Sequence, residues 1–482
     1  MTASRLSLNI ALSLFCFLVG LSPLASADSL QDALVSAYNN HPLLKAEQAR
    51  LRAIDENYIQ ARAQSRPTIA ITGSAAGSAV RTPFNFGPVQ GAGNATITGT
   101  PIAGQLEVLQ PIYQGGRLKA QRRQALTAIM AARESLRQTE QDILLAAATA
   151  YVDVIRDEHI ADIRRNNVRV LSRQKEAAQV RFDVGAGTRT DTAQAGSRLA
   201  AADIGLAAAD AQLAASRAIF RRSVGRDPVA LNPIPQMIVP DTPEEMLTIA
   251  LENNPRLNAA RYNREASKYD VNIARAATKP SVSLSATAAA QREQILGFSQ
   301  AEALSLTAQV SIPIFTSGLN QSRIRQAENV STQRGYEVID AEQGVTETLY
   351  RLWAQLDAAQ RTLVASETQI NAAKLAFEGV ELEQEVGTRT VLDVLDAEQE
   401  VREAEINYIN SQRELDVAIF QILAIMGTFT SEGLQLPADI YNPSDAFEGI
   451  RADGLHNLAQ KRLPSLVNES VFDDIEPIKP TK

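Results

Sequence analysis

The sequence predicts a mainly α-helical chain that also carries four β-strands and is built from two copies of one unit. Three observations predict this fold class: long stretches of the 482-residue chain lack proline, short segments alternate between apolar and small polar residues, and both features occur twice in the same order. Aromatic residues make up only 5% of the chain, which is little material for several independent cores. Such a composition suits long helices that meet through small side chains.

The N-terminus is predicted to be a cleaved signal peptide at residues 1–27. An arginine precedes an apolar core at 8–21, and Ala25-Ser26-Ala27 fits the small-x-small cleavage pattern, so the mature chain would begin at Asp28. The single cysteine, Cys16, lies in this segment, so the mature chain is predicted to use no disulfide. Later apolar runs fall short of the roughly 20 residues of a spanning helix. Export then leaves a soluble exported protein or an outer-membrane β structure.

The mature chain repeats itself at two offsets. The segment 30–44 resembles 244–258 at an offset of 213 residues, whereas PIYQGGR (111–117) matches PIFTSGL (313–319) at an offset of 202 residues. The difference of 11 residues falls in a Gly/Pro-rich stretch of the first copy. The predicted parts of the mature chain are therefore a first repeat at 28–233, a linker at 234–241, a second repeat at 242–437 and a polar C-terminal tail at 438–482.

Each copy is predicted to hold the same elements in the same order. A helical run ends at Pro67 in the first copy and at Pro280 in the second. Alternating residues then predict a strand pair in each copy, at 68–75 with 97–112 and at 281–288 with 304–315. The Gly/Pro-rich stretch 81–95 is predicted to be the loop of the first pair.

Long helices are predicted to follow each strand pair. The stretches 112–227 and 314–436 each contain more than 100 residues without proline. From Gly115 to the Val184–Gly185 turn, about 69 residues would form about 100 Å of helix. A seven-residue spacing predicts a coiled-coil-like seam at Ile129, Leu136, Ile143 and Ala150.

Four strands cannot close a barrel with a usable interior, because about eight are needed merely to house side chains. An open sheet with unpaired edges would invite aggregation. Three chains would supply twelve strands, which predicts a trimeric 12-stranded outer-membrane β-barrel continued by a long α-helical barrel. The strands offer one apolar face, as outer-membrane strands do, at Ile69, Ile71, Leu284, Leu304, Leu306, Val310 and Ile312.

With these features the chain resembles the TolC-like outer-membrane efflux family. The resemblance rests on the signal peptide, the two repeats, the motifs PIYQGGR and PIFTSGL, and the stretch VGTRTVLDVLDAEQE at 386–400, and it extends to about residue 437. It implies a homotrimer in outer-membrane lipid whose helical tunnel descends into the periplasm. A belt would come from 225–245 and from residues after Gly427. The tunnel would dock a periplasmic adaptor and an inner-membrane pump of RND or ABC type.

The resemblance also implies roles for residues near the two glycine turns. Val184–Gly185 and Val386–Gly387 are expected to form the helix-hairpin tips that dock the adaptor. Asp393 and Asp396 are expected to form the channel constriction, where a ring of carboxylates from three chains would favour cations. From spacing alone, both aspartates could equally be solvated residues in the first turn of a helix, stabilised by its dipole.

Further roles concern the periplasmic gate. Arg389 is expected to hold the tip closed through contacts with Thr190 and Asp191 of the other turn. Gln384 stands where the best-known family member carries a latch tyrosine. The junction between barrel and helices is expected at Pro111, Tyr113, Pro313 and Phe315, where the two aromatic rings could lie at the membrane interface.

Composition and motifs disfavour other functions. The three histidines are far apart in sequence, and no metal, nucleophile or phosphate-binding motif occurs, so we expect no enzyme, metal or cofactor. A net charge of −8 disfavours nucleic acid as a partner.

The main hypothesis is a duct that exports drugs and toxic compounds and so contributes to antibiotic resistance. The alternatives are type I (one-step) protein secretion, a coiled-coil periplasmic adaptor and a trimeric adhesin.

Overall fold

The computed structural model describes residues 28–85, 92–235, 237–292, 300–445 and 447–449. The predicted signal peptide and the tail beyond residue 449 lie outside this part of the chain. The elements in chain order are α1 (Leu30–Asn40), α2 (Pro42–Ala63), β1 (Thr68–Ala75), β2 (Ser78–Asn85), β3 (Ala92–Gly99), β4 (Ile102–Gln114), α3 (Arg117–Asp183), α4 (Arg189–Val224), α5 (Pro243–Asn253), α6 (Pro255–Ala276), β5 (Ser281–Arg292), β6 (Gln300–Ser311), α7 (Leu319–Glu385) and α8 (Val391–Ile425).

The four predicted strands form one antiparallel sheet in the order β1-β4-β5-β6, which confirms four sheet strands per chain. The prediction of a loop at 81–95 is wrong at 81–85 and at 92–95, because these residues lie in β2 and β3, which pair with each other in a separate antiparallel sheet. Residues 86–91 of the predicted loop lie outside the described residues. The predicted strand 97–112 is accordingly split between β3 and β4. Pro83 made β2 hard to predict, because proline has no N–H to donate to a neighbouring strand. Each strand of a two-stranded sheet, however, pairs along one edge, so a proline is tolerated where its nitrogen faces the other edge.

The two repeats differ where strands lead into helices. β4 continues past Pro111 through a register shift between Pro111 and Tyr113 and ends at Gln114. β6 instead ends at Ser311, so the prediction of a strand to residue 315 is wrong. Pro313 has no N–H to donate to a ladder, which accounts for the earlier end.

The observed register places the predicted apolar residues on one face of the sheet. Ile71 lies opposite Leu106, Leu106 opposite Ala288, and Ala288 opposite Leu304. The strand residues of the apolar set share this face, and Ile312 follows the end of β6. In the single chain the side chains of Ile71 and Leu304 are 81% and 86% exposed. The opposite face carries small and polar residues such as Thr72, Ser285, Thr287, Ser305 and Thr307.

The long helices confirm the prediction from the spacing of proline. α3 and α7 contain 67 residues each, which corresponds to about 100 Å at ~1.5 Å per residue. The four residues of the predicted seam are all buried: Ile129, Leu136, Ile143 and Ala150. Among the described residues, no helix combines the length and apolarity needed to cross a bilayer.

Residue contacts divide the chain into two compact units that do not follow the repeats. Unit 1 is Met1–Glu47, Arg137–Pro255 and Gln343–Ile440, and unit 2 is Gln48–Leu136, Arg256–Glu342 and Tyr441–Lys482. Each unit therefore takes elements from both repeats. The four-stranded sheet belongs to unit 2, and the two glycine turns belong to unit 1.

The segment that begins at Asp28, the predicted start of the mature chain, is fixed within unit 1. The backbone N–H of Asp28 donates to the carbonyl oxygen of Ala230 at 3.0 Å, and Asp28 forms a parallel bridge with Leu231. The buried hydroxyl of Tyr151 lies 2.8 Å and 2.7 Å from the carbonyl oxygens of Asp28 and Asn232. Burial raises the pKa of Tyr151 to about 12, so this hydroxyl stays a hydrogen-bond donor. The end of the first repeat thereby packs against the residues that begin at Asp28.

The beginning of the tail packs within unit 2. The ring of Phe447 lies 5.4 Å from the ring of Tyr58 on α2, between centroids, and the guanidinium of Arg133 on α3 lies 5.9 Å from the Phe447 ring centroid. Arg133 also donates to the carbonyl oxygen of Pro443 at 3.3 Å. The first residues of the tail are therefore held by aromatic and cation–π contacts.

Matched glycines end α4 and α8 in unit 1. Gly225 and Gly427 have φ of 90° and 79°, a left-handed conformation that glycine adopts without strain. A Cβ on Gly427 would lie 2.3 Å from the carbonyl oxygen of Asn253, whereas one on Gly225 would lie 3.4 Å from the Cβ of Asn40. In the second repeat, therefore, the backbone of Asn253 also lies close to the left-handed glycine, whereas no backbone lies this close to Gly225 in the first repeat.

This difference predicts unequal effects of the same substitution. Gly225→Ala is expected to cost about 1 kcal/mol, the strain of a non-glycine residue in this conformation. Gly427→Ala is expected to cost about 3 kcal/mol, because the Asn253 backbone must also move. The free energy of unfolding of each purified variant, measured in chemical denaturant, checks the difference. Equal losses in the two variants would contradict the close approach.

Candidate functional site: the two helix-hairpin tips

The two tips end their first helix with the same backbone hydrogen bonds. In the first tip, Gly185 has φ of 80°, its N–H donates to Phe182, and the N–H of Ala186 donates to Arg181. In the second tip, Gly387 has φ of 81°, and the corresponding bonds run from Gly387 to Gln384 and from Thr388 to Glu383. These bonds define a Schellman cap, in which a left-handed glycine closes the helix end. The predicted glycine turns are thus structurally equivalent.

Each tip then starts its second helix with a capping box. Thr188 caps α4 with Asp191, and Thr390 caps α8 with Asp393. The N–H of Thr390 donates to Asp393 Oδ2 at 2.8 Å, and the N–H of Thr188 donates to Asp191 Oδ2 at 2.9 Å. This reciprocal bonding satisfies N–H groups that a helix leaves without partners. The aspartates recur at an offset of 202 residues because both helices need the same cap.

Hydrogen bonds to the capping threonines lower the pKa of both aspartates. The hydroxyl and then the N–H of Thr390 lower the pKa of Asp393, and Arg389 contributes in the same direction. The N–H and then the hydroxyl of Thr188 lower the pKa of Asp191. Both groups stay ionised at neutral pH, and Asp393 brings its charge to the start of α8, where the helix dipole stabilises it.

Arg389 pairs within its own tip. Its Nε donates to Glu383 Oε2 at 2.9 Å, and this bond raises the pKa of the guanidinium. Thr190 lies in the first turn of α4, and the carboxylate of Asp191 is occupied by its cap. A contact of Arg389 with Thr190 and Asp191 thus stays a prediction. Gln384 is half-buried in the last turn of α7, and its carbonyl accepts from Gly387.

Asp396 forms an ion pair that sequence reasoning missed. Arg198 Nη2 on α4 donates to Asp396 Oδ1 on α8 at 2.8 Å. An apolar cluster beside the pair joins Leu171, Ala202 and Leu395 from α3, α4 and α8. The pair thus lies where three helices pack together.

A signal for this pair is present in the repeat alignment. At the offset of 202 residues, Arg198 matches Glu400 and Asp396 matches Gln194. The cap aspartates are the same in both repeats, whereas the positions one turn later (Asp396 and Gln194) and two turns later (Arg198 and Glu400) differ in charge. A base on one hairpin and an acid on the other, at positions that do not recur in both repeats, are consistent with a pair between the two helices.

The tip also contains a cavity of about 380 Å³ between the two hairpins of one chain. Its lining combines charged and apolar side chains, namely Gln174, Arg181, Asp191, Arg198, Leu392 and Leu395. Among the described residues, no group of acidic, histidine or cysteine side chains is arranged to hold a metal ion.

The predicted junction residues lie at the ends of the sheet strands. Pro111 and Tyr113 lie in β4 on either side of its register shift, and the ring of Tyr113 is 47% exposed. Pro313 and Phe315 lie between β6 and α7, where Phe315 is 85% exposed.

The fold and the tips define a class of protein. A sheet with an exposed apolar face, leading into paired long helices that end in capped turns, is the subunit of an outer-membrane export channel. The chain belongs to the outer membrane efflux protein family, whose model matches residues 33–226 and 246–428.

Relatives agree with this family, and a solved structure shares the fold. The chain is 33% identical to outer membrane efflux protein BepC of Brucella suis over 89% of this chain and 91% of that protein. It is 24% identical to alkaline protease secretion protein AprF of Pseudomonas aeruginosa over 64% of this chain and 68% of that protein. The crystal structure of CusC has a TM-score of 0.70 at 17% identity, over 83% of this chain and 92% of that one.

Family membership confirms the resemblance seen in the sequence. The chain is an outer-membrane efflux duct, located in the outer membrane, and its family consists of channels rather than enzymes. The periplasmic adaptor and the adhesin are therefore not retained as interpretations. The roles of individual tip residues remain proposals.

The capping boxes predict how the tips respond to acid. A carboxyl group whose pKa is lower in the folded than in the unfolded state stabilises the folded state at pH values above its unfolded-state pKa, near 3.9. This stabilisation is lost as the pH falls through the pKa of the folded state. Amide protection factors in the first turns of α4 and α8 are therefore expected to fall between pH 5 and pH 3, as measured by hydrogen exchange.

Asp393→Asn provides the internal control for this prediction. It is expected to remove the pH dependence at α8 and to leave that at α4 intact. Full protection of both turns at pH 3 in the unmodified protein would contradict the role of the two carboxylates.

Proposed function

We propose that three copies of the chain form one gated exit duct for a tripartite export system. The three sheets would close into a twelve-stranded barrel in outer-membrane lipid, and the helices of three chains would form the tunnel below it. The tunnel tips would meet a periplasmic adaptor, which links the duct to an inner-membrane pump of the RND or ABC type.

The observation that carries the proposal is the four-stranded sheet. Within the described residues, β1 pairs only with β4, and β6 pairs only with β5, so each outer strand has one edge available for another chain. Joining the β1 edge of one chain to the β6 edge of the next would satisfy these backbone groups. Closure would also turn one face outward, and the apolar face that bears Ile71 and Leu304 suits lipid contact.

This arrangement predicts opposite outcomes for lysine on the two faces of β1. Ile71→Lys would place a charge in lipid and is expected to cost about 2 kcal/mol. Thr72→Lys, one residue later, would point into the barrel and is expected to leave stability nearly unchanged. The dissociation temperature of the purified trimer in mild detergent, followed on gels, measures both effects. Recovery of the unmodified protein as a monomer alone would overturn the trimer, and equal losses would overturn the assignment of faces.

At the periplasmic tip we propose that Asp393 and Asp396 line the constriction. Two carboxylates per chain would place six around the threefold axis, a ring that favours cations and binds multivalent ones. Asp393 is held in its orientation by the Thr390 cap, and the side chain of Asp396 is 61% exposed. Both carboxylates therefore keep a surface that a neighbouring chain or a passing ion can approach.

The ring is tested by single-channel recording from the full-length trimer in planar bilayers. The double variant Asp393→Asn with Asp396→Asn is expected to lose cation preference and to weaken block by hexamminecobalt(III) at least roughly tenfold. Asp210→Asn is the matched control, because Asp210 lies on α4 and, like Asp396, is an exposed aspartate paired with an arginine, in this case Arg165. Unchanged conductance, selectivity and block in the double variant would refute the ring.

The gate is proposed to depend on weak contacts. Arg389 bonds with Glu383 in the single chain and would reach Thr190 and Asp191 of an adjacent hairpin in the closed trimer. Exposed pairs of this kind contribute about 0–1 kcal/mol each. An adaptor that binds the exposed tip valines, Val184 and Val386, could therefore open the tip with modest binding energy.

For cargo, we propose drugs and other toxic small compounds, with exported proteins as the second candidate. BepC, named for efflux, is similar to this chain over most of its length, and AprF, named for protease secretion, is similar over a smaller part. Deleting the gene and then measuring both drug sensitivity and exported proteins separates the two cargo classes.

A further inference from the structure

The ion pair between Arg198 and Asp396 bears on the charge of the proposed constriction. A ring of Asp393 and Asp396 alone would count two negative charges per chain. In the structure, however, Asp396 Oδ1 accepts from Arg198 Nη2 at 2.8 Å. A cation at this distance offsets most of the field of the carboxylate at the distance of a passing ion.

We propose that Arg198 sets the charge selectivity of the channel by neutralising Asp396, so that about half of the constriction's negative charge is cancelled. This inference rests on the proposed ring and deepens it. Arg198 acts through Asp396 and is therefore a positioning and specificity-determining residue. The predicted consequence is a lower barrier for anionic cargo than an unpaired ring would impose.

Packing fixes the two partners in place. Leu395 precedes Asp396 on α8 and belongs to the apolar cluster with Ala202, which follows Arg198 by one helical turn on α4. Leu199, next to Arg198, packs against the same cluster. The Arg198 side chain is 29% exposed, compared with 49% for Arg217 farther along α4. The approach of Arg198 to Asp396 is thus set by the contact between α4 and α8.

Three other charged groups at the tip also have partners in the structure. Asp393 accepts from Thr390 in its capping box, and Asp191 accepts from Thr188. Glu383 accepts from Arg389. Arg198 is therefore placed to act on Asp396, while Asp393 keeps its charge in a hydrogen-bonded cap.

The repeats support a role specific to this pair. A residue needed only for the helix turn recurs in both copies, as the cap aspartates do. Arg198 and Asp396 do not recur, because their equivalents are Glu400 and Gln194. Their charges are complementary across the hairpins, and the capping of the helices does not require them.

The test records selectivity and block by hexamminecobalt(III) in full-length trimers that carry Arg198→Gln. The trimer would lose three positive charges near the pore, one from each chain. We expect this loss to raise the preference for cations and, with screening by salt taken into account, to tighten block roughly tenfold. Arg198→Lys retains the charge and is expected to stay within about threefold of the unmodified channel. Arg217→Gln, which removes an α4 arginine paired with Glu158, is expected to change neither property.

Asp396→Asn separates failure of this inference from failure of the ring. If Asp396→Asn weakens block while Arg198→Gln leaves it unchanged or weakens it, the role of Arg198 is overturned and the ring stands. If neither substitution alters block or selectivity, Asp396 is not part of the constriction and the inference fails with it.

A charge swap keeps the inference testable if Arg198→Gln does not assemble. The double variant Arg198→Asp with Asp396→Arg restores an ion pair of the same net charge. Its block is expected to lie within about threefold of that of the unmodified channel. A swapped channel that behaves like Asp396→Arg alone would overturn the pairing.

Discussion

The reversal of the chain at each hairpin tip is the constraint on which the helical part of the structure depends. A helix of 67 residues must end, and the next must begin, within a few residues. The left-handed glycine and the threonine–aspartate cap accomplish this together, since one closes the carbonyl end and the other satisfies the N–H end. The register in which α3 meets α4, and α7 meets α8, follows from these turns.

The helices could be predicted because their cause is local. Proline interrupts a helix wherever it occurs inside one, so its absence from long stretches marked α3, α4, α7 and α8. The alternation of apolar and small polar residues predicted β1, β4, β5 and β6 for a similar reason, since successive side chains of a strand point to opposite faces of the sheet. The hairpin β2–β3 was missed because Pro83 and neighbouring glycines resemble a loop. Backbone pairing across the hairpin outweighs this local signal.

The site was harder to predict because its contacts join distant parts of the chain. The motif around Asp393 identified the tip, and the spacing of Thr390 and Asp393 is a capping signature in its own right. The partner of Asp396 lies 198 residues away, and no local pattern around Asp396 points to Arg198. Only the comparison of the repeats suggests it, through positions whose charges differ between the copies. The contact of α4 with α8 that brings the two together depends on tertiary packing.

Duplication and divergence explain why only the second tip carries an aspartate one turn beyond its cap, where the first tip has Gln194. A duplicated hairpin needs the same turn and the same caps in both copies. The backbone therefore requires a glycine at Gly185 and Gly387 and an aspartate at Asp191 and Asp393. Positions one and two turns farther along are free of that requirement, and there the copies can become complementary. The change that places an acid at Asp396 and a base at Arg198 ties α4 to α8 and also adjusts the charge of the tip. A partly exposed pair of this kind contributes about 0–1 kcal/mol to stability, so its proposed effect on passing ions does not depend on a large contribution to the fold.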